Sequence, residues 1–273
     1  MYKKYSTFPF VFWSAFFIVL PLFLIVFYSL TAKGTINFTL ENFSTFLTPK
    51  FMTVLARSLV LSIKATAICI ILGYPMAYII SRMEEKKQKI AVMLFVLPMW
   101  MNFLLRTYAW VAILNKNGII NNILGFFNIA PLNLLYNEFA IILGMVYNFI
   151  PFMVFPIYTV LNKMDESLLE AARDLGASTT QTFLKVILPL SIPGIVSGIT
   201  MVFLPALSTF VISSILGGGR VMLIGNLVQE QFLVFNNWNF GSAISMVLMA
   251  FIIVSMLILN RFESEDSRGG IGI

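Results

Sequence analysis

Six long hydrophobic stretches constrain this chain most, because a helix of about 20 apolar residues crosses the hydrocarbon layer of a membrane. Inside lipid, only helices and closed barrels satisfy the backbone. None of the stretches shows the alternating pattern of barrel strands. The sequence therefore predicts an all-α membrane protein with six transmembrane helices, forming a single domain over residues 1–273. The predicted spans are residues 8–30, 58–80, 90–114, 139–161, 192–216 and 243–260.

The composition supports this class and excludes several functions. Hydrophobic residues make up 59% of the chain and charged residues 11%, against about 25% charged residues in soluble domains. The chain has no His and a single cysteine, Cys69, which excludes a His-ligated metal, a Ser-His-Asp triad and an intrachain disulfide. No acidic residue lies in the six stretches. We therefore expect neither an intramembrane enzyme nor an ion-coupled secondary transporter, and no metal site.

The distribution of Lys and Arg predicts the orientation of the spans. With the N-terminus inside, eleven of these residues fall in inner segments and five in outer segments, the bias expected when both termini are cytoplasmic. The net charge of +6 then reflects mostly topology, and no nucleic-acid partner is expected. The inner residues are Lys3, Lys4, Arg82, Lys86, Lys87, Lys89, Lys163, Arg173, Lys185, Arg261 and Arg268; the outer ones are Lys33, Lys50, Arg57, Lys116 and Arg220.

A polar segment between the fourth and fifth stretches carries signals for two short helices. Ser167-x-x-Glu170 and Ser178-x-x-Gln181 both match the capping box that begins a helix. Gly176 between them is suited to end the first helix. A solvated amphipathic connector is the alternative to a docking element. The first helix is predicted to carry its apolar residues on one side, namely Leu168, Leu169, Ala172 and Leu175.

This segment resembles the coupling loop of permease subunits of bacterial ABC importers. The signature there is Glu-Ala-Ala, three residues, Gly, nine residues and Ile-x-Leu-Pro, and Val186 replaces the usual Ile here. The resemblance implies that residues 162–191 dock on a separate cytoplasmic ATPase, which binds the ATP and Mg²⁺. The chain itself has no Gly-x-x-x-x-Gly-Lys-Ser/Thr loop, so no cofactor is expected on it. The matching residues are Glu170, Ala171, Ala172, Gly176, Leu188 and Pro189.

Polar and aromatic residues within or beside the stretches are candidates for a translocation path. Arg106 is costly in lipid and is expected to face the bundle interior or to snorkel outward. Lys64, also within a stretch, is expected to snorkel or to pair. Ordinary packing of kinked helices and an aromatic belt at the headgroups are the alternatives. The candidates are Trp100, Asn102, Arg106, Tyr108, Trp110, Tyr147, Asn148, Phe203, Ser208, Phe210, Glu230 and Trp238.

Longer motifs are similar to those of permeases of spermidine/putrescine importers, and specifically to the first permease of the pair. They are Arg106-Thr107-Tyr108-Ala109-Trp110, residues 203–211 with Leu216-Gly217-Gly218, and Gly225-Asn226-x-x-x-x-Gln231-Phe232 followed by Asn237-Trp238-x-x-Gly241-Ser242-Ala243. The resemblance implies polyamine import across the bacterial cell membrane. The implied partners are a second homologous permease, an ATPase dimer and an extracellular binding protein. The same permease role for iron, thiamine or an anion such as sulfate is the alternative.

Overall fold

The structure is a computed structural model that describes the backbone of residues 8–269 and the side chains of residues 9–259. Within this range the backbone forms helices and loops, with one isolated bridge between Thr31 and Phe38. The predicted all-α class is confirmed for the described residues. Lys3 and Lys4, which contribute to the predicted orientation, lie outside them, as do the side chains of Arg261 and Arg268.

We number the helices in chain order. They are α1 (Pro9–Ser29), α2 (Glu41–Phe46), α3 (Pro49–Ser81), α4 (Glu85–Trp100), α5 (Phe103–Leu114), α6 (Ile119–Phe126), α7 (Glu138–Asn162), α8 (Glu166–Asp174), α9 (Thr179–Leu190), α10 (Ile192–Ser208), α11 (Val211–Leu216), α12 (Ile224–Leu233) and α13 (Trp238–Gly269). Turns of π-helix occur at Ala15–Val19 within α1 and at Phe183–Ile187 within α9.

Four of these helices are long and apolar enough to cross a membrane, namely α1, α3, α7 and α13 up to Leu259. Two further pairs pass the same test together but are bent, α4 with Phe103–Phe126 by 91° and α9 with α10 by 58°. The described chain thus has four candidate spans, or six if each bent pair is one span. Two helices begin earlier in the sequence than predicted. Helix α3 begins at Pro49 and not at residue 58, and α13 begins at Trp238 and not at residue 243.

The third and fifth predicted spans are not single helices. After α4 the chain turns and restarts at α5, where Asn102 is the N-cap and its side-chain oxygen accepts the Leu104 N–H at 2.8 Å. In the fifth, α10 ends at Ser208 and α11 begins at Val211. Both breaks lie within apolar sequence, which is why the hydropathy pattern predicted continuous helices.

Three helices, α3, α7 and α10, form the centre of the bundle. In the most apolar part of α7, 61% of the residues are buried, against 0% for α1 and 17% for α13. Glycines allow the close approach, because a Cβ atom at Gly73 or Gly198 would lie only 3.0 or 2.7 Å from the Met153 side chain. Small residues at helix contacts have this role in membrane bundles generally.

The first helix lies at the edge of the bundle and contacts it mainly through α13. Just beyond the C-terminal end of α1, the Asn239 side-chain N–H donates to the backbone oxygen of Thr31 at 2.9 Å. Along the rest of α1 the apolar side chains are exposed, for example Phe10 at 70% and Trp13 at 61%. Such a helix suits a lipid environment and adds little to the core.

Candidate coupling loop and translocation path

The N-cap of α8 is Asp165, and the prediction that Ser167 caps this helix through a box with Glu170 is wrong. The Asp165 carboxylate accepts the Ser167 N–H at 2.9 Å, so Ser167 lies inside the first turn. Asp is as good an N-cap as Ser. Hydrogen bonding from Ser167 lowers the pKa of the Asp165 carboxyl, which keeps it charged at the positive end of the helix dipole.

The predicted end of α8 and start of α9 are confirmed. Gly176 has a φ of +79°, and its N–H donates to the Arg173 oxygen at 2.8 Å while the Ala177 N–H donates to the Ala172 oxygen at 3.0 Å. This is a Schellman motif, which needs a residue that tolerates positive φ. At the start of α9 the Ser178 and Gln181 side chains each accept the other's backbone N–H, completing the capping box.

The predicted apolar side of α8 is divided between the core and the surface. Leu169 is 6% exposed and packs in the core, whereas Leu168 and Leu175 are 47% and 88% exposed. Glu170 and Ala171 are exposed and Ala172 is half-buried. Of the two residues of the signature in α9, Leu188 is half-buried and Pro189 exposed. Glu170 and two leucines of α8 are therefore accessible, on different sides of the helix.

The loop is attached to one end of α3 by aromatic contacts. The Phe183 ring meets the Tyr74 and Tyr78 rings edge to face, with centroids 5.8 and 5.7 Å apart. The hydroxyl oxygens of Tyr74 and Ser191 lie 3.0 Å apart, and Ile187 is 4% exposed. These contacts join α9 of the loop to α3, and α3 to the residue that precedes α10.

Arg106 lies inside the bundle and does not snorkel outward. It is 8% exposed, and its guanidinium carbon is 6.0 Å from the centre of the Tyr147 ring. That ring also meets Trp110 edge to face at 5.3 Å. Three of the predicted path residues therefore come together between α5 and α7.

Two polar atoms in this region have no hydrogen-bond partner within the described chain, the Arg106 Nε and the Asn148 side-chain oxygen. Asn148 is 3% exposed, and its N–H₂ group donates to the Gly144 oxygen at 2.8 Å. Buried polar atoms without a partner are rare in folded proteins. Their occurrence on facing helices marks this part of the bundle as a candidate polar route.

The break between α10 and α11 is fixed by Asn226, at the start of α12. Its side-chain oxygen accepts the Ser213 hydroxyl at 2.6 Å and the Leu223 N–H at 3.1 Å. Its N–H₂ group donates to the Phe210 oxygen at 3.0 Å and the Ser214 hydroxyl at 2.7 Å. Asn226 was not among the predicted site residues, although Gly225-Asn226 belongs to one of the motifs singled out in the sequence.

Two neighbouring contacts hold α12 against the same break. A Cβ atom at Gly225 would lie 2.5 Å from the Ser208 oxygen, and the Ile224 N–H donates to the Ser58 hydroxyl at 2.7 Å. The predicted path residues at the break remain accessible, because Phe210 is 40% exposed and Ser208 is exposed with its hydroxyl bonded to the Leu204 oxygen at 3.1 Å.

The remaining predicted path residues lie elsewhere. Around the α4–α5 break, Trp100 and Tyr108 are 77% and 57% exposed, and Asn102 serves as the N-cap described above. Phe203 lines an apolar groove of about 360 Å³ beside α13. The candidates thus form separate groups and do not line one continuous surface of this chain.

Glu230 and Trp238 lie at the end of the bundle opposite the loop. Glu230 lines a cavity of about 660 Å³ that Lys33 and Lys50 also line. Trp238 is 54% exposed and meets the Phe232 ring edge to face at 5.3 Å. Cations beside Glu230 offset the attraction that its carboxylate alone would exert on a positively charged solute.

The comparisons with known proteins agree with this architecture. Residues 69–265 match the profile of the family described as binding-protein-dependent transport system inner membrane component. The spermidine/putrescine transport system permease protein PotB of Haemophilus influenzae is 42% identical over 251 residues, 88% of each chain. That of Escherichia coli strain K12 is 37% identical over 254 residues, 90% of this chain and 92% of the relative.

A solved structure shares the fold. It is the bacterial alginate ABC transporter in complex with an alginate pentasaccharide-bound periplasmic protein, with a TM-score of 0.78 over 95% of this chain and 93% of the matched chain. At 18% identity, the likeness concerns the arrangement of the helices alone.

Proposed function

Because this chain belongs to the family of binding-protein-dependent transport system inner membrane components, we propose that it is a permease subunit of an ATP-driven importer of polyamines. The observation that carries the substrate is its identity with two spermidine/putrescine permeases over most of both chains. The substrate class is therefore a linear polyamine, spermidine or putrescine, moved inward across the cell membrane of a bacterium. The chain is a transport component and not an enzyme, and ATP and Mg²⁺ bind a partner subunit.

We propose six spans with both termini in the cytoplasm. The four long helices α1, α3, α7 and α13 are the first, second, fourth and sixth spans. Helices α4 and α5 together form the third span, and α10 and α11 together form the fifth. The excess of inner Lys and Arg supports this orientation. The loop of α8 and α9 then lies on the cytoplasmic side, where an ATPase is accessible, and residues 1–273 form one permease domain.

The accessible surface of α8 is the proposed docking site for a dimeric ATPase. Glu170 is exposed on one side of α8, and Leu168 and Leu175 are exposed on another side, so the helix offers a partner both an acidic group and apolar side chains. The small side chains of Ala171 and Ala172 allow a close approach to α8, and Gly176 ends this helix. Leu188 and Pro189 extend the proposed docking surface into α9. Closure of the ATPase pair on ATP would move the loop and, through Phe183 and Tyr74, the α3 and α10 helices with it.

A second homologous permease is the proposed partner within the membrane. Lys64 lies midway along α3 and is exposed, and it forms no ion pair with a described carboxylate. A lysine facing hydrocarbon is costly, whereas a protein surface or a polar route can accommodate it. Apolar side chains on the same helix are exposed as well, for example Ile63 at 57% and Ile71 at 68%.

The proposed route for the polyamine combines aromatic rings with backbone carbonyls. At its C-terminal end α10 carries the negative pole of its dipole, which faces the break that Asn226 holds open. Ring faces such as Phe210 accept ammonium or methylene groups at about 0.5–2 kcal/mol each. With no carboxylate in any predicted span, binding along the route is weak, and tight recognition is left to an extracellular binding protein.

The buried Arg106 favours a second candidate, the same permease role for an anion such as sulfate. A guanidinium 8% exposed repels cations if it faces the route. An uptake assay separates the two. In cells lacking other polyamine importers, labelled spermidine should enter only when this subunit is present, and Glu230→Gln should lower the rate. Uptake unaffected by deletion of the subunit would defeat the polyamine assignment.

A further inference from the structure

A cavity of about 300 Å³ lies between the coupling loop and the adjoining end of α3. Leu169 and Arg173 line it from α8, whereas Glu170 does not. The polar side chains around it come from α3, α8 and α9: Tyr78, Arg82, Arg173, Thr179 and Thr182. Because its lining comes from three elements, the shape of the cavity depends on how the loop packs against α3.

Two guanidinium groups line this cavity without a counter-charge. Neither Arg82 nor Arg173 forms an ion pair in the described part of the chain. The carboxylates that follow Arg82 are engaged elsewhere, since Glu84 pairs with Lys87 at 3.1 Å and Glu85 with Lys89 at 2.6 Å. Among the described residues, neither guanidinium is ion-paired, and no carboxylate lines the cavity.

Hydrogen-bond donors and an aromatic wall accompany the two arginines. The Arg82 guanidinium carbon lies 5.6 Å from the centre of the Tyr78 ring, which fixes the side chain beside the cavity. Thr182 is 7% exposed and its hydroxyl donates to the Ser178 oxygen at 3.1 Å. The Thr179 hydroxyl is exposed at the rim and is available to donate to a ligand.

We propose that this cavity binds a phosphate group. Arginine forks match phosphate oxygens in a bidentate manner, and basic pockets beside the cytoplasmic ends of membrane helices receive anionic lipid headgroups. The group belongs either to such a lipid or to a soluble phosphate. The proposed orientation decides only which leaflet would supply the lipid, here the cytoplasmic one. The expectation of a phosphate group rests on the cavity lining and is independent of the orientation.

An occupied cavity would tie α8 to α3. A phosphate bridging Arg173 on α8 and Arg82 at the C-cap of α3 adds a charged link to the contacts of Phe183 with Tyr74 and Tyr78. Glu170 and the exposed Leu168 and Leu175 of the proposed docking surface do not line the cavity. Bound phosphate therefore stiffens the loop through which ATPase movement reaches the spans.

The test uses the full-length chain purified with its partner subunits, stripped of lipid in neutral detergent. Phosphatidylglycerol, phosphatidylcholine or inorganic phosphate is added, and the bound molecules are counted by native mass spectrometry. Arg82→Gln and Arg173→Gln should each lower phosphatidylglycerol retention by about fivefold. Lys86→Gln and Lys185→Gln remove exposed cations of the same region that do not line the cavity, and retention should not change.

The outcomes separate the sources of the ligand. Phosphatidylglycerol retained in an arginine-dependent manner identifies a lipid headgroup, and arginine-dependent binding of inorganic phosphate alone identifies a soluble ligand. Equal retention of phosphatidylcholine and phosphatidylglycerol, or equal binding by the arginine variants and the lysine controls, would overturn the site.

A further pair of variants guards against loss of folding. Arg82→Lys and Arg173→Lys keep the charge but not the fork, and we expect binding between that of the wild type and that of the Gln variants. If the Lys variants and every correctly folded Gln variant retain as much phosphatidylglycerol as the wild type, the site is contradicted. This conclusion stands even if one Gln variant misfolds. Spermidine uptake is measured separately, so a failure here leaves the proposed import function standing.

Discussion

The hydroxyl oxygens of Tyr74 and Ser191 lie 3.0 Å apart, which joins the C-terminal part of α3 to the residue immediately before α10. The Tyr74 ring also receives the edge-to-face contact of Phe183 from the loop. One tyrosine thus links the coupling loop to both central helices that it is proposed to move. The first prediction concerns this link.

Phe183→Leu should lower the amount of substrate imported per ATP hydrolysed. The change removes two aromatic contacts, each worth about 0.5–1.5 kcal/mol, and loosens the loop on α3. Import and ATP hydrolysis are measured on the same reconstituted complex. Phe126→Leu is the control, because Phe126 is 85% exposed and far along the chain from the loop. If Phe183→Leu leaves the ratio of substrate imported to ATP hydrolysed unchanged, the contacts of Phe183 with α3 do not contribute to coupling.

Glu170→Lys should abolish import while the subunit still reaches the membrane. The change reverses the charge at the proposed docking surface, so the ATPase binds less tightly and its movement is not transmitted. Glu170→Gln removes the charge without reversing it and should have a smaller effect. Co-purification of the ATPase and substrate uptake are the measurements, and normal uptake by Glu170→Lys would reduce the loop to a connector.

Gly176→Val should also uncouple import. The φ of +79° is costly for a β-branched residue, so the end of α8 must change shape although no atom lies within 4 Å of the added Cβ. Gly34→Val is a matched control, because Gly34 has a φ of +76° and equal space but lies outside the loop. Both variants should strain the backbone, and only Gly176→Val should lower the import-to-hydrolysis ratio.

Asp165→Ala should destabilise α8 locally by about 1 kcal/mol, the usual cost of losing an N-cap. Hydrogen exchange of the Ser167 amide, which the Asp165 carboxylate accepts, should become about fivefold faster. Ser167→Ala would speed the hydrogen exchange of the α8 amides only if Ser167 were the cap. We expect it to leave that exchange unchanged. The reverse pattern would restore Ser167 as the cap.

Hydropathy and local signals predicted much of the fold. The six apolar stretches all lie on helices, and Gly176 and the Ser178 capping box were predicted because their partners lie within four residues. The sequence predicted Ser167 as the cap of α8 and missed Asp165, because both residue types are good caps and they lie two residues apart. Hydropathy also could not reveal the breaks after Trp100 and Ser208, because the residues on either side are equally apolar.

The candidate path was less predictable than the loop. Asn226 reaches backbone and side-chain partners 12 to 16 residues away, and no local pattern specifies such a network. Arg106 was predicted to be either inside or snorkelling, and only the packing of α5 on α7 decides between these. The placement of Glu230 beside Lys33 and Lys50 joins residues from three segments, which a single sequence does not bring together.

Asn226→Ala should lower the thermal stability of the subunit strongly. The change removes four hydrogen bonds of about 0.5–1.5 kcal/mol each and leaves the Ser214 hydroxyl without the Asn226 donor, while the Ser213 hydroxyl keeps the Phe210 oxygen as an acceptor. Asn133→Ala, at an exposed asparagine, is the control and should have little effect. Unfolding of the two variants in the same detergent is compared, and equal midpoints would mean that Asn226 does not hold the break between α10 and α11.

The most direct test of the central claim is uptake by proteoliposomes that contain this subunit with its second permease, the ATPase and the binding protein. On addition of ATP we expect labelled spermidine or putrescine to accumulate inside, and the Glu170→Lys complex to accumulate none. Accumulation of sulfate, iron or thiamine with no polyamine uptake would contradict the polyamine assignment and leave only the permease role.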